Sequence, residues 1–305
     1  MLSFIIPARS QPDETAECLE SLFQSLRLLN LEPHSEFLFL DDNSHAEYKL
    51  ADLFKHFRSG TRQPVHIARF KQWQHYTGVF AYGLSKARGD NVFFISNDMV
   101  VTPAWLRTLI AVGAIDPSFG IVRGTGSIVD SHPEHSLPFP GIPNSRQDFF
   151  EFAEFVSRSH GLGVVEDFAF SGDAVMIKRA LIDKIGVMDR RFFGYFGDPD
   201  YGLRARRAGF RLVCAKGAWL NHFGQGHVRA DVEREKTTYD AQHEKRMALV
   251  AKAYELFRLK WDLSLAPSFL NVQSMDWDKL IKATKPKGYD FTPPIGDEPG
   301  LVDLL

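Results

Sequence analysis

Apolar residues follow two rhythms along the first third of the chain. Short, mostly apolar runs, Leu2 to Ile6, Glu36 to Leu40, Val65 to Ala68 and Val92 to Ile95, are bounded by polar turns, the pattern of strands buried on both faces of a parallel sheet. Between them the apolar positions switch to helical spacing. Leu19, Leu22, Phe23, Leu26 and Leu29 follow the acidic first turn of Asp13 and Glu14, and Ala51, Phe54 and Phe57 mark a short helix over 48–57. Tyr76 to Ala87 predicts a third helix, in which Gly78 and Gly83 lower helix propensity but permit close packing. Thr102 and Pro103 supply an N-cap hydroxyl and a first-turn proline to a fourth, carrying Trp105, Leu106, Leu109 and Ile110 on its inner side. Strand and helix in alternation predict an α/β fold with a mostly parallel central sheet and helices on both faces.

The alternation breaks after Asp116. Residues 116–166 read as short strands and a loop over 130–146 rich in Pro, His and Ser, then an aromatic segment with Phe149, Phe150, Phe152 and Phe155, together an insertion. Its histidines, His132 and His135, are expected to be solvated, since no second ligand pair stands at a zinc spacing. The first strand is expected to end at Pro7. Further on, 168–177 is an apolar strand interrupted by Ser171, Gly172 and Asp173, 178–185 a short helix stopped by Gly186, and 210–215 and 218–220 are strands. Tyr239, Met247, Val250, Tyr254, Phe257 and Trp261 place a long packing helix within 231–261. Beyond Pro267, four more prolines and little periodicity predict an extended arm or a partly disordered tail. The chain thus divides into a unit over 1–230, with halves 1–110 and 111–230, a helical extension over 231–265 and a tail over 266–305.

Composition narrows the function classes. A chain of 305 residues with 44% hydrophobic content can bury a full core, and a net charge of -2 leaves no electrostatic footprint for nucleic acid. Cys18 and Cys214 form no metal spacing or disulfide framework and read as core residues of a reducing compartment. No apolar run reaches about 18 residues, and Leu2 to Pro7 lacks the basic start of a signal sequence, so a soluble cytoplasmic protein is expected.

Candidate chemistry collects where strands end. Asp41 and Asp42 close the second strand, and Ser96, Asn97 and Asp98 close the fourth, at the sheet edge where α/β folds bind ligands. A carboxylate there suits a metal-bound phosphate, although a plain turn also accounts for an Asn-Asp pair. Of Asp41 and Asp42, one is expected to be structural. Pro199 marks a helix start that would make Asp198 its N-cap, with Asp200 and Arg204 pairing on the helix surface.

Taken together, the segments Phe4 to Arg9, Phe39 to Ser44, Ala87 to Asp98 and Gly186 to Phe210 resemble the family-two inverting glycosyltransferases of GT-A fold, in particular rhamnosyltransferase-like members, over residues 2–227. The resemblance implies a nucleotide-diphosphate sugar donor, with UDP, dTDP or GDP, and a hydroxyl acceptor such as a glycan. It implies that Pro7, Ala8 and Arg9 line the nucleotide, that Asp42 reads a base N–H, and that Asn97 and Asp98 bind the nucleotide sugar. Asp98 and His222 would hold Mn2+ or Mg2+, with His227 the weaker alternative to His222, and an imidazole ligand leans the choice to manganese. Asp198 would be the general base, and Gly172 and Asp173 would border the donor sugar. Phe192, Phe193, Tyr195 and Phe196 read either as a sugar platform or as core. Gly197 stands where the family often has an acid, and Asn97 precedes Asp98 where it often has a second acid. A non-catalytic scaffold that binds nucleotide sugar or carbohydrate is therefore the competing expectation.

Overall fold

A computed structural model describes residues 1–129, 132–167, 169–170, 172–224, 232, 236–261 and 302–305. Strands β1 (Leu2–Ala8), β2 (Ser35–Asp41), β3 (Val65–Phe70) and β4 (Asn91–Ile95) pair in parallel in the order β3-β2-β1-β4. Their apolar residues alternate between two cores. Phe4, Ile6, Phe37, Phe39, Phe93 and Ile95 face one side, and Ile5, Leu38, Leu40, Val92 and Phe94 the other. On the first side Phe4 stacks on Phe37 and Phe93 at 5.8 and 4.9 Å, and helix α1 (Pro12–Leu28) closes over them with Leu19, Leu22, Phe23 and Leu26. On the second, helix α3 (His75–Lys86) sets Phe80 against Phe94 at 3.8 Å. Each fully buried phenylalanine contributes about 1.5–3 kcal/mol over an exposed one, so these layers dominate the stability of the half. A Cβ on Gly83 would lie 2.5 Å from Ile5 Cγ2, which is why α3 sits so close to β1.

Helix α2 (Leu50–Ser59) follows β2, and Thr102 Oγ1 accepts from Trp105 N at 3.2 Å to cap α4 (Pro103–Ile115). Pro7 does not end β1. The partner β4 is in register with β1 only as far as Ile5 opposite Phe94, whereas β2 continues beside Pro7 and Ala8, so a residue without an N–H is tolerated on the half-open side.

The second part of the sheet mixes directions. It is built from β6 (Phe119–Gly126), β7 (Val164–Glu166), β8 (Ala174–Lys178) and β9 (Arg211–His222), with the short β5 (Met99–Val100) at the edge. Strand β8 lies antiparallel between β4 and β6, while β6 and β9 run parallel to each other. The expected insertion over 116–166 is therefore corrected: β6 is a buried strand, and 146–160 form a helix, α5 (Arg146–His160). Its Phe149, Phe150, Ala153 and Val156 pack with Trp219 and Ala104, a helical spacing masked in the sequence by the outward Phe155. The separate strands expected at 210–215 and 218–220 are one strand, β9. Helices α6 (Arg179–Ile185) and α7 (Gly197–Arg207) precede β9, and α8 (Tyr239–Lys260) falls within the expected extension. The tail expectation lies mostly outside the described residues, but Val302–Leu304 form β10, antiparallel to β3, rather than a free arm.

Candidate functional site

Sheet direction explains the site. The parallel strands all end at one edge, and because β8 runs the other way its first residues arrive at that same edge, where Ser96 N donates to Asp173 O at 2.9 Å. Strand β9 also ends there. The antiparallel pairing of β5 with β9 sets Met99 opposite His222, and Phe223 N donates to Asp98 O at 3.0 Å. The result is a contact between His222 Nε2 and Asp98 Oδ2 at 3.2 Å, both side chains largely buried. Burial alone would lower the imidazole pKa. The hydrogen bond and charge of Asp98, with Asp173 and the Ile128 carbonyl behind, outweigh it and push His222 up to about 9.

These residues line a cleft of about 400 Å³, within the range of small-molecule sites. Its walls include Pro7, Ala8, Arg9, Asp42, Asn97, Asp98, Gly172, Asp173, Asp198 and His222, all of which the sequence singled out. In the cleft wall the Arg9 guanidinium lies 4.3 Å from the centre of the Trp73 ring. Asp41 and Asp42 divide the labour. Asp41 Oδ1 accepts from Ser44 N at 2.8 Å and closes the turn; Asp42 Oδ1 accepts from Gln74 N at 2.7 Å and borders the cleft. Burial pushes the Asp42 carboxyl up to about 7, against the backbone N–H groups of Gln74 and His75 and the charge of Arg9. Asn97 is only partly directed to the cleft, since its Nδ2 donates to Thr15 Oγ1 at 2.9 Å.

Asp198 also lines the cleft. It is not the N-cap of α7: the helix begins at Gly197 with Phe196 as cap in the left-handed region (φ 63), so Asp198 stands in the first turn. Burial pushes its pKa up to about 7, against the hydrogen bond its carboxylate accepts from its own backbone N–H, and the negative charge of Asp173 adds to the rise. Arg123, itself buried, reaches Asp173 Oδ1 at 3.4 Å. A Cβ on Gly172 would fall 1.3 Å from Tyr76 Oη, so this hydroxyl occupies the space a side chain would take. That oxygen is buried and makes no hydrogen bond among the described residues.

Helix α7 is braced from below. Asp200 and Arg204, expected on its surface, are 0% and 2% exposed: Arg204 Nε donates to Asp200 Oδ2 at 2.9 Å, while its two terminal nitrogens donate to the carbonyls of Ile185 and Val187. The end of α8 supplies the remaining partners: Lys260 Nζ lies 2.7 Å from Asp200 Oδ1 and 2.9 Å from Asp189 Oδ2, and Trp261 Nε1 donates to Asp200 Oδ1 at 3.0 Å. Phe192 and Phe196 belong to the core that α8 covers with Tyr254 and Phe257, whereas Phe193 packs edge-on to Trp73 and His75. Tyr195 and Phe196 also line the cleft, so the aromatic cluster serves both purposes.

Sequence reasoning missed Trp73, His75, Tyr76 and Arg246, which line the same cleft. The polar turn at the end of β3 was a signal of the kind used for β2 and β4; Arg246, on a helix read as packing alone, gave none. Ser171 and His227 lie outside the described residues. His132 and His135 are not solvated: both are buried, and with Asp167 they place three ligand atoms within 4.8 Å of one another, away from the cleft walls. Among the described residues no helix is long and apolar enough to cross a membrane.

Comparison with known proteins agrees with the architecture. The profile of Glycosyl transferase family 2 matches residues 3–171. The O-antigen biosynthesis protein RfbC of Myxococcus xanthus is 27% identical over 245 residues, covering 75% of this chain but 18% of that protein, so the chain spans under a fifth of this relative. The mannosyltransferase PcManGT of Pyrobaculum calidifontis, solved with GDP-Man and Mn2+, superposes with a TM-score of 0.52 at 15% identity over 80% of this chain and 64% of its own. GalNAc-T7, solved with UDP, GalNAc and Mn2+, superposes with a TM-score of 0.55 at 15% identity over 73% and 43%. At such identities the shared property is the GT-A fold.

Proposed function

The chain belongs to glycosyl transferase family 2, and from that premise we propose that it transfers a sugar, with inversion, from a nucleotide-diphosphate sugar to an acceptor hydroxyl. The observation that carries this reading is the convergence of Asp98, His222 and Asp198, from three distant segments, on one cleft. Pro7, Ala8, Arg9 and Trp73 would hold the nucleotide, with Asp42 accepting from a base N–H. Asp98 and His222 fit a divalent ion: their 3.2 Å contact is close to the edge between neighbouring ligands of an octahedron with bonds of about 2.1 Å, roughly 3.0 Å. Manganese or magnesium bound there would neutralise charge on the diphosphate.

Asp198 would take the proton of the acceptor hydroxyl. With its pKa pushed up to about 7, it is both partly ionised and basic enough to accept a proton at neutral pH. The acceptor oxygen bonds to the anomeric carbon from the face opposite the nucleotide, while the carbon–oxygen bond to the diphosphate breaks and the diphosphate leaves with the electron pair. One displacement inverts the centre without a covalent sugar–enzyme intermediate. Gly172 and Asp173 would border the donor sugar, with the Tyr76 hydroxyl beside them. The half over 111–230, which supplies Asp173 and Asp198, would meet the acceptor. The name of the Myxococcus relative makes a polysaccharide hydroxyl the first acceptor class to test.

A second reading is supported by Gly197, which has no carboxylate, and by the Asn97 amide engaged with Thr15: a scaffold that binds nucleotide sugar without turnover. Thermal-shift measurements with UDP-, dTDP- and GDP-sugars, each with and without manganese, are paired with a donor-hydrolysis assay. Occupancy at a hundredfold excess over Kd should stabilise by about 2.7 kcal/mol. A manganese-dependent shift with turnover supports transfer, a shift without turnover supports the scaffold, and no shift with any donor overturns both.

A further inference from the structure

We propose that His132, His135 and Asp167 form a second metal site, separate from the cleft, that takes zinc. His132 caps a single 3-10 turn, Pro133–His135, and His135 ends it, and a spacing of three residues eclipses side chains in such a turn. Their rings accordingly stack at 5.5 Å with 29° between planes. Asp167 joins them from just after β7, fixed by Asp167 N donating to Leu212 O at 2.8 Å. The three ligand atoms lie within 4.8 Å of one another and all three residues are buried.

The hydrogen-bond ledger of His132 points to a cation. Its Nδ1 faces Glu134 Oε1 at 3.1 Å and its Nε2 faces the Ala169 carbonyl oxygen at 3.2 Å, and both partners only accept. A neutral imidazole has one N–H, so one of these contacts opposes two lone pairs. A metal on Nε2 removes the conflict, and Glu134 on Nδ1 then orients the ring as a carboxylate behind a ligating histidine does. His135 Nε2 already points at Asp167 Oδ1, at 2.6 Å. Zinc bonds of about 2.0–2.2 Å set tetrahedral edges of roughly 3.4 Å, which side-chain shifts of about an ångström reach from these positions. Two imidazoles and one carboxylate favour zinc over magnesium or manganese, with water or the Ala169 carbonyl for the fourth position. An imidazolium His132 would satisfy the same contacts without a metal, which is the outcome the experiment must separate.

The site would pin two segments that reach the cleft. The Ile128 carbonyl contacts His222 Nδ1 at 3.2 Å, four residues before His132, and Gly172 and Asp173 follow shortly after Asp167. The test is zinc content and zinc-dependent melting of the full chain, purified without a histidine tag, chelated, then reloaded with zinc alone. The expected result is a raised Tm in the wild type and in His222→Ala, with one equivalent of zinc in His222→Ala and at least one in the wild type, and at least a tenfold loss of zinc affinity at this site in His132→Ala and Asp167→Asn. Should those variants fold poorly, cobalt(II) titration of the wild type and of His222→Ala must still give d–d absorption of tetrahedral intensity. No zinc retained by the wild type, or zinc and cobalt binding lost in His222→Ala but kept in His132→Ala, overturns the proposal. Neither readout requires sugar transfer.

Discussion

Replacing Lys260 by methionine tests whether α8 is part of the site's foundation. The ammonium is 1% exposed and sits between Asp189 and Asp200, themselves 3% and 0% exposed at their side chains. Methionine nearly preserves the volume, so the cost is electrostatic rather than that of a cavity. Removing one partner of a buried ion pair costs about 3–5 kcal/mol, because the charge left behind has lost its water and its counterion. Asp200 would keep Arg204 and Trp261, and Asp189 would keep Arg191, which places the expectation near the lower end, about 3 kcal/mol. Urea denaturation read by linear extrapolation measures it, with Arg258→Ala as control. Arg258 lies two residues earlier on the same helix, and its pair with Glu255 lies at the surface, so its loss should cost no more than about 1 kcal/mol. A loss below about 1 kcal/mol for Lys260→Met would refute the reasoning and make the cluster a by-product of packing. If it holds, kcat should fall with KM little changed, since α7 carries Asp198 in its first turn.

Asp198→Asn should abolish transfer while leaving the fold intact, and near-normal turnover would remove Asp198 from the mechanism. Because Asp198 must be ionised to act and its pKa is pushed up to about 7, kcat/KM should rise with pH through about 7; a flat profile between pH 6 and 8 would contradict this. The same raised pKa makes stability fall with pH: the unfolded carboxyl ionises near the ordinary value of about 3.9, the folded one only near 7, and the folded state is penalised across and above that window. Asp198→Asn should therefore be at least as stable as the wild type at pH 8 and lose any relative gain by pH 4, in urea melts at the two pH values. Gly172→Ala should lower both stability and activity, because its methyl would meet Tyr76 Oη, with part of the stability recovered in the Tyr76→Phe background; unchanged melting of the single variant would show that the segment gives way freely.

What the sequence disclosed was local. Asp42 and Asp98 follow unbroken apolar runs, and a carboxylate at the end of a doubly buried strand can be placed at the ligand edge without knowing its neighbours. His222 was reached only through resemblance, since its place beside Asp98 depends on the register of β5 against β9. The cap of α7 was misplaced because Phe196 adopts a left-handed backbone, a conformation its residue type does not announce. His132 and His135 were read as solvated because their third partner stands 32 residues beyond His135, brought in by the pairing of β7 with β9. Lys260 gave no sign of burial: on an amphipathic helix a lysine is assigned to solvent, and only the two acids opposite it draw it inward.

The strand at the middle of the sheet is supplied late. Strand β8 lies beside β4 and β6, yet more than half of the described chain precedes it. Until ribosomal synthesis has delivered residue 178, Val92 to Ile95 form a bare border whose backbone N–H and C=O groups have no neighbour on that side. Phe93 and Phe94 make that border a template for pairing with other nascent chains. A fragment truncated near residue 110 should precipitate rather than fold, and soluble expression would depend on how quickly the remainder follows.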